Sequence, residues 1–215
     1  MFDFIKKKKE KKLQLISYKN FLMSSSLTNE LLNEQENKLF ELYGNCKKIN
    51  KRINILVISD TNNSLDELRF ADYVYRSNNY DVCILIGNIS SKDLSIIKKY
   101  VDKKKTFAAF DQEEFINIDG QVIKINNVNL LIVGRKVLTQ KESINIFDNY
   151  PSCDVLISYS NMYNDNSGLF GINYYIFKNS VPYLIHCGLS KQYKDTMKNG
   201  TKEISTFEYE YIQIN

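Results

Sequence analysis

The chain has 215 residues, of which 43% are hydrophobic and 13% aromatic, so it has the composition of a folded globular domain and not of a disordered protein. Its formal net charge is +4 at pH 7, and residues 1–12 account for all of it, with six lysines against two acids. The remainder is formally neutral, which argues against a nucleic-acid-binding face on the folded body.

The first 50 residues are predicted to form a basic tail and a helical extension, ahead of a main domain over residues 51–215. The run Lys6–Lys12 is interpreted as a solvated tail, with weak contact to an anionic membrane surface as the alternative. A helix is predicted from Asn33, as its N-cap, to Gly44, as its stop. No secretory signal or membrane-length apolar run is visible, and the four cysteines are widely spaced. Together these features predict a cytoplasmic protein.

The first core strand is predicted at Ile53–Ile58, an apolar and mostly β-branched run that is typical of a strand buried on both faces. A polar turn with Asp60 follows it. Ligands in open α/β sheets bind outside the carboxyl ends of such strands, so Asp60 is a candidate metal ligand or catalytic carboxylate. The alternative is that Asp60 only caps the next helix.

Two βα units then predict a right-handed parallel sheet, and hairpins follow later in the chain. In the first unit, Leu65, Leu68 and Tyr75 have helical spacing. This succession predicts an α/β fold of two packed sheets flanked by helices. The elements expected after Leu65–Ser77 are a strand at Asp81–Gly87, a helix at Lys92–Val101, a strand at Thr106–Phe110, a hairpin turning at Asn126-Asn127, a helix at Thr139–Asn149, strands at Asp154–Ser158 and Pro182–Cys187, a turn at Asn199-Gly200 and a last strand at Phe207–Ile214.

Short polar blocks stand at the ends of five of these strands. They are Ser59-Asp60-Thr61-Asn62, Gly87-Asn88-Ile89, Asp111-Gln112-Glu113-Glu114, Tyr159-Ser160 and Gly188-Leu189-Ser190. In order and spacing they resemble the blocks of the calcineurin-like metallophosphoesterases, especially single-domain bacterial members. The resemblance covers the chain from about Ile53 to its end. It implies an α/β/β/α sandwich with all five loops on one rim.

The family's enzymes hold two metal ions that bind phosphate and generate a hydroxide. Matched position by position, only Asp60 keeps the family's residue type. The family's histidines are replaced by Asn62, Glu113, Tyr159, Gly188 and Ser190, its bridging Asp by Asn88 and its metal-binding Asn by Gln112. The resemblance therefore implies the fold without the metal centre, with no catalytic residue, no metal ligand and no cofactor. His186, the one histidine, is interpreted as a core residue.

Two functions remain open for the folded body, and a third, a membrane-surface adaptor that uses Met1–Lys12, can coexist with the first of them. The first is a pseudoenzyme that binds a partner protein or a small ligand at the old mouth or at the surface near Phe110 and Tyr163. The residues expected around the mouth are Tyr159, Met162, Tyr163 and Tyr174. The second is a divergent phosphoesterase with a rebuilt Mg²⁺ or Mn²⁺ site made of carboxylates alone. The carboxylates considered for it are Asp60, Asp111, Glu113, Glu114, Asp154 and Asp165, of which Asp154 is expected at the wrong end of its strand.

Overall fold

The computed structural model describes residues 13–14, 17–134, 139–161, 168–187 and 192–215. Residues 17–24 are helical. The helices that follow are α1 (Asn29–Tyr43), α2 (Glu67–Arg76), α3 (Ser91–Tyr100), the 3₁₀ turn Lys103–Lys105, α4 (Gln140–Asn149) and α5 (Phe170–Asn179). The strands are β1 (Ile53–Ser59), β2 (Val82–Ile86), β3 (Thr106–Ala108), β4 (Ile116–Asn117), β5 (Gln121–Ile125), β6 (Val128–Val133), β7 (Val155–Ser158), β8 (Tyr183–Cys187), β9 (Tyr193–Thr196), β10 (Lys202–Thr206) and β11 (Glu208–Ile214).

The strands form two mixed sheets. Sheet I has the order β11-β1-β2-β3-β4, and sheet II has the order β5-β6-β7-β8-β10-β9. In sheet I the four strands from β1 to β4 run parallel, while β11 runs antiparallel to β1. In sheet II the edge strands β5 and β9 run antiparallel to their neighbours. The prediction of an α/β fold with two sheets is confirmed.

Three separate apolar clusters show how the layers stack. One contains alternate residues of both sheets, such as Ile55 and Ile157, and fills the space between them. Another lies under α2 and α3 on the outer face of sheet I, with Leu56 and Phe70 as members. The third lies between sheet II and its helices. Because β1 and β2 are each covered on both faces, their sequences are apolar without alternation.

The helical extension shares the third cluster. Leu22, Leu32 and Leu39 are buried there with residues of α5, and eight of the ten residues of α5 are buried as a result. The domain boundary at residue 50 stays a prediction, as does the solvated tail, since Lys6–Lys12 lies outside the described residues. Among those that are described, no helix combines the length and the apolar character needed to cross a membrane.

One local prediction, the start of α1, is wrong, and the helix predicted after β1 is present but buries a different face from the one its apolar spacing marked. Helix α1 begins five residues earlier than expected, because Thr28 rather than Asn33 accepts the capping hydrogen bond, from the amide of Leu31 at 3.3 Å. Helix α2 buries Phe70 and Val74, and leaves Leu68 and Tyr75 in solvent. Its N-cap is Asp66, so Leu65 precedes the helix and packs in the same cluster as Phe70, in the positions of a hydrophobic staple.

Candidate binding site

The carboxyl ends of β1, β2 and β7 meet at one edge of the sandwich, where Asp60, Asn88 and Tyr159 are brought together. The Asp60 Oδ1 atom accepts a hydrogen bond from the backbone amide of Asn88, at 2.7 Å. The Asn88 side-chain amide donates to Asn62 Oδ1 at 2.6 Å. We call Asp60, Asn62, Asn88 and Tyr159 the strand-end cluster. Four of the eight positions taken from the resemblance are therefore neighbours in space.

Gly87 allows this cluster to close. Its φ is +81°, and a Cβ atom built on it would lie 2.7 Å from Asp60 Oδ1 and 2.7 Å from the Tyr159 ring. Both distances are shorter than side chains tolerate, so the two side chains can approach the backbone only at a glycine. The sequence showed Gly87 only as a turn residue.

The loop after β1 has an unusual backbone. Asp60, Asn62 and Asn63 all have positive φ, at 47°, 46° and 67°. Asp93, buried at the start of α3, stabilises this loop: its Oδ2 atom accepts from the Thr61 hydroxyl at 2.6 Å and from the Asn63 amide at 2.7 Å. Asp93 was missed by sequence reasoning, because an acid three residues after the cap Ser90 is also what a helix start requires.

Two groups at this edge, the Tyr159 hydroxyl and the nearby Cys187 thiol, have raised pKa values. Burial raises the pKa of Tyr159, and the charge and hydrogen bond of Asp60 raise it further. Burial also raises the pKa of Cys187, at the end of β8, to about 12, and the charges of Asp60 and Glu210 add to this. The Tyr159 hydroxyl and the Cys187 thiol therefore keep their protons at neutral pH.

Gln112 and Glu113 do not join the strand-end cluster. The Gln112 side chain folds back on its own loop, where its Oε1 atom accepts from the amides of Glu114 at 2.6 Å and Phe115 at 2.9 Å. Glu113 is exposed. Gly188 and Ser190 lie outside the described residues.

The carboxylates considered for a rebuilt site are dispersed. Glu114 forms ion pairs with Lys98 at 3.0 Å and Lys103 at 2.7 Å, which hold its pKa at about 2. Asp154 stands before β7, as expected, and accepts from the Asn129 amide and Lys51. Asp111 accepts from Asn117 at 2.6 Å. Asp165 lies outside the described residues.

Tyr174 is not at this edge, so that expectation is wrong. It lies in α5 under the helical extension, where its hydroxyl donates to Asp148 at 3.2 Å and its ring packs edge-on against Tyr43. Met162 and Tyr163, which were expected beside it, lie outside the described residues.

His186 is fully buried, which confirms its interpretation as a core residue. Its Nε2 atom lies 2.8 Å from Glu203 Oε1, and its Nδ1 atom lies 2.9 Å from Asn161 Oδ1. The Tyr193 hydroxyl donates to the same Glu203 oxygen at 2.6 Å. Both ring nitrogens therefore have partners, and the imidazole is not available to a metal at the strand ends.

The described residues do not fit a pair of metal ions. In the described ranges, no three His, Cys, Asp or Glu side chains come close enough to hold even one ion. One oxygen of Asp60 already accepts from Asn88, and the two asparagine side chains bind each other. Neutral amides bind divalent ions only as supplements to carboxylates.

No protein-family model and no curated protein matches the chain. Solved structures do show similarity. Vps29 from Entamoeba histolytica, complexed with Zn²⁺, has 16% identity over 71% of this chain and 73% of its own, with a TM-score of 0.42. A novel archaeal phosphodiesterase has 12% identity over 75% and 100%, with a TM-score of 0.43. A predicted phosphoesterase from Streptococcus pneumoniae has 11% identity over 76% and 84%, with a TM-score of 0.39. At these values the likenesses carry no argument about activity, metal or partners.

Proposed function

We propose that this chain is a non-catalytic binding protein, a metallophosphoesterase-like sandwich that works without the metal centre and binds a partner protein or a small ligand. One observation carries the proposal. At the edge where an enzyme of this kind would hold two ions, the strand-end cluster offers one carboxylate, Asp60, one oxygen of which accepts from the Asn88 backbone amide, while the side chains of Asn88 and Asn62 hydrogen-bond each other.

The chemistry of metal-dependent hydrolysis explains why this matters. A hydroxide forms at neutral pH only when a metal lowers the pKa of water from about 15.7 to about 7. Metal affinity in turn requires several deprotonated donors in fixed geometry. Asp60 supplies one such donor, and Tyr159 stays protonated because its pKa is raised. A single carboxylate with amide neighbours is better suited to binding a ligand through hydrogen bonds than to binding two metal ions.

The test is elemental analysis of protein purified without chelator, paired with an assay on an activated aryl phosphodiester with added Mn²⁺. We expect no stoichiometric transition metal and no turnover above that of the Asp60→Ala variant. Two equivalents of tightly bound metal, or turnover that Asp60→Ala abolishes, would favour an active phosphoesterase and overturn the proposal.

A reversion variant sharpens this test. Asn62→His restores one imidazole but leaves Asn88 and Gln112 neutral, so we expect it to remain inactive. Hydrolysis by the single variant would mean that the remaining ligands are already in place. Asn62→Gln serves as the control, because it lengthens the same side chain without adding a metal donor of a new type.

A further inference from the structure

A groove lies in the helical extension, between the helix at residues 17–24 and α1. Its volume is about 690 Å³. Phe21 and Leu42 supply apolar side chains to its walls, and Phe21 is 44% exposed. The groove is therefore large enough, and apolar enough, to accept side chains of a further segment.

Two residues that line the groove have polar atoms without partners. The side-chain oxygen of Gln35 and the hydroxyl of Tyr18 are buried, and neither forms a hydrogen bond among the described residues. Gln35 is only 6% exposed and Tyr18 only 5%. A buried polar atom without a partner is destabilising, so an occupant that brings an amide or an amine to the Gln35 oxygen is favoured.

The helical extension is acidic. Residues 13–44 hold four glutamates against two lysines, in a body over residues 13–215 that is formally neutral. Lys198 of the sandwich lies beside one of the four, Glu36, and donates to Asn37. The other three glutamates are Glu30, Glu34 and Glu41.

These three glutamates form one exposed stripe on α1. Glu30, Glu34 and Glu41 are separated by four and by seven positions, so they lie within about 40° of one another around the helix. None of them forms an ion pair in the part of the chain that the structure describes. Like charges four residues apart destabilise a helix, so a basic partner would stabilise α1. We call these glutamates the acidic stripe; Glu34 also lines the groove.

The chain itself contains a segment of matching chemistry. Residues 1–12 lead directly to the groove, because Gln14 lines it. They carry six lysines against two acids, next to the apolar residues Phe2, Phe4 and Ile5. Twelve extended residues span up to about 40 Å, whereas α1, with 15 residues, is about 22 Å long. The segment is therefore long enough to reach every part of the acidic stripe.

We propose that residues 1–12 fold back as an N-terminal strap, with Phe2 and Phe4 in the groove and the lysines against the acidic stripe. The covalent link favours this occupant over a separate basic protein, because it makes the contact intramolecular. The acidic stripe also repels an anionic lipid surface. The docked strap covers the groove and engages the lysines, so it is an autoinhibitory contact against any other ligand of either.

This contact uses none of the strand-end cluster, so it goes beyond the function proposed above. Failure of one proposal leaves the other unaffected, because the variants that test them share no residue.

The test uses Phe2→Trp in the full chain, which otherwise has no tryptophan. We expect its emission to be blue-shifted from that of the protein unfolded in urea, and protected from quenching by acrylamide. Glu30→Gln/Glu34→Gln/Glu41→Gln should lower the docking constant about tenfold and reverse the shift. Phe21→Ser should also reverse it, and so should 1 M salt, where the Debye length is about 3 Å.

Glu113→Gln and Ile116→Ser are the matched controls. They change an exposed glutamate and a hydrophobe that is 68% exposed, both on the side of sheet I, and should leave the emission unchanged. Circular dichroism should show the same fold in all variants, because each substituted side chain is exposed.

Three kinds of result would overturn the proposal. The first is an emission equal to that of the unfolded chain, which would mean a solvated tail, or a blue shift that the groove and stripe variants leave intact. The second is a blue shift that depends on protein concentration, which would assign the segment to a second copy. The third is a blue shift that appears only with anionic vesicles, which would assign it to a membrane.

Discussion

At the scale of single residues, Gly87 sets how closely Asp60 and Tyr159 approach each other. Its backbone is in the left-handed region, and the space where a Cβ atom would stand is already filled by a carboxylate oxygen and a ring carbon. The strand-end cluster is therefore a close-packed polar contact. A substitution of one member should therefore displace the side chains of the others.

We predict that Gly87→Ala destabilises the protein more than Gly44→Ala does. Gly44 also has a positive φ, +74°, but nothing lies within 4 Å of the position of its Cβ atom. Gly44→Ala should therefore cost only the backbone strain of its φ 74°, ψ −153° conformation, about 1–3 kcal/mol. Gly87→Ala should cost a further 1–3 kcal/mol, roughly, from overpacking.

Urea unfolding of the two variants gives the comparison. A similar free energy of unfolding for both would show that Tyr159 moves aside without cost. That result would mean that the cluster is looser than the distances indicate.

Sequence reasoning found residues that a local pattern marks, and it missed residues whose role depends on contacts with distant parts of the chain. Asp60 was found because a buried strand followed by a polar turn is a local pattern. Asp93 was missed because its partners, Thr61 and Asn63, are some thirty residues away, and its local context already explained it as a helix-start acid. Gln112 was matched to the family's metal-binding Asn by its order in the chain, and nothing local shows that its side chain binds its own loop.

At the scale of elements, α5 is the most enclosed helix among the described residues. Sheet II lies on one side of it and the helical extension on the other, so even Asn173 and Tyr175 are buried. The extension thus supplies a second apolar layer for a helix that would otherwise expose half its surface. Its contribution to stability should be large and specific to a few leucines.

We predict that Leu39→Ala lowers the free energy of unfolding by about 2–5 kcal/mol, because it leaves a cavity in a fully buried site. Leu68→Ala is the matched control. It makes the same chemical change at an exposed helical position and should cost less than about 0.5 kcal/mol. Chemical denaturation followed by circular dichroism distinguishes them. Equal, small effects would mean that the extension unfolds independently of the sandwich.

The strands were easier to predict than the faces of the helices. Burial on both faces leaves an unbroken apolar run, and β1, β2, β7 and β8 all show it. In α2, apolar residues occur on both sides, so spacing alone selected Leu68 and Tyr75 where packing selects Phe70 and Val74. Packing depends on which sheet lies beneath the helix, and the helix sequence does not contain that information.

At the scale of the whole molecule, three thiols are held far from solvent. Burial raises the pKa of Cys83, Cys153 and Cys187 to about 12 each, from an ordinary value of 9.0. In the unfolded chain the same thiols lose their protons near their ordinary pKa. Folding therefore binds protons in the interval between these values, and stability falls as pH rises through it.

We predict that the free energy of unfolding is constant with respect to these thiols below pH 9 and declines above it. Each thiol should lower the free energy of unfolding by roughly 1.4 kcal/mol per pH unit, until the pH reaches the pKa of that thiol in the folded protein. Urea titrations between pH 8 and pH 10.5 measure the slope. Cys153→Ala should reduce that slope by about one thiol's share, and an unchanged slope would show that the thiol ionises in the folded protein.

The pairing of β1 with β11 has a consequence for how the protein is made. β2 can join one edge of β1 soon after both strands are synthesised, but the other edge of β1 pairs with β11, which follows much later in the chain, from Ile53 opposite Ile214 to Ser59 opposite Glu208. Until β11 has been synthesised, that edge is an unpaired template for strands of other chains, and five of the seven residues of β1 are apolar. Nascent chains should therefore need a chaperone to shield β1, and expression at high rates should yield aggregates seeded by this strand.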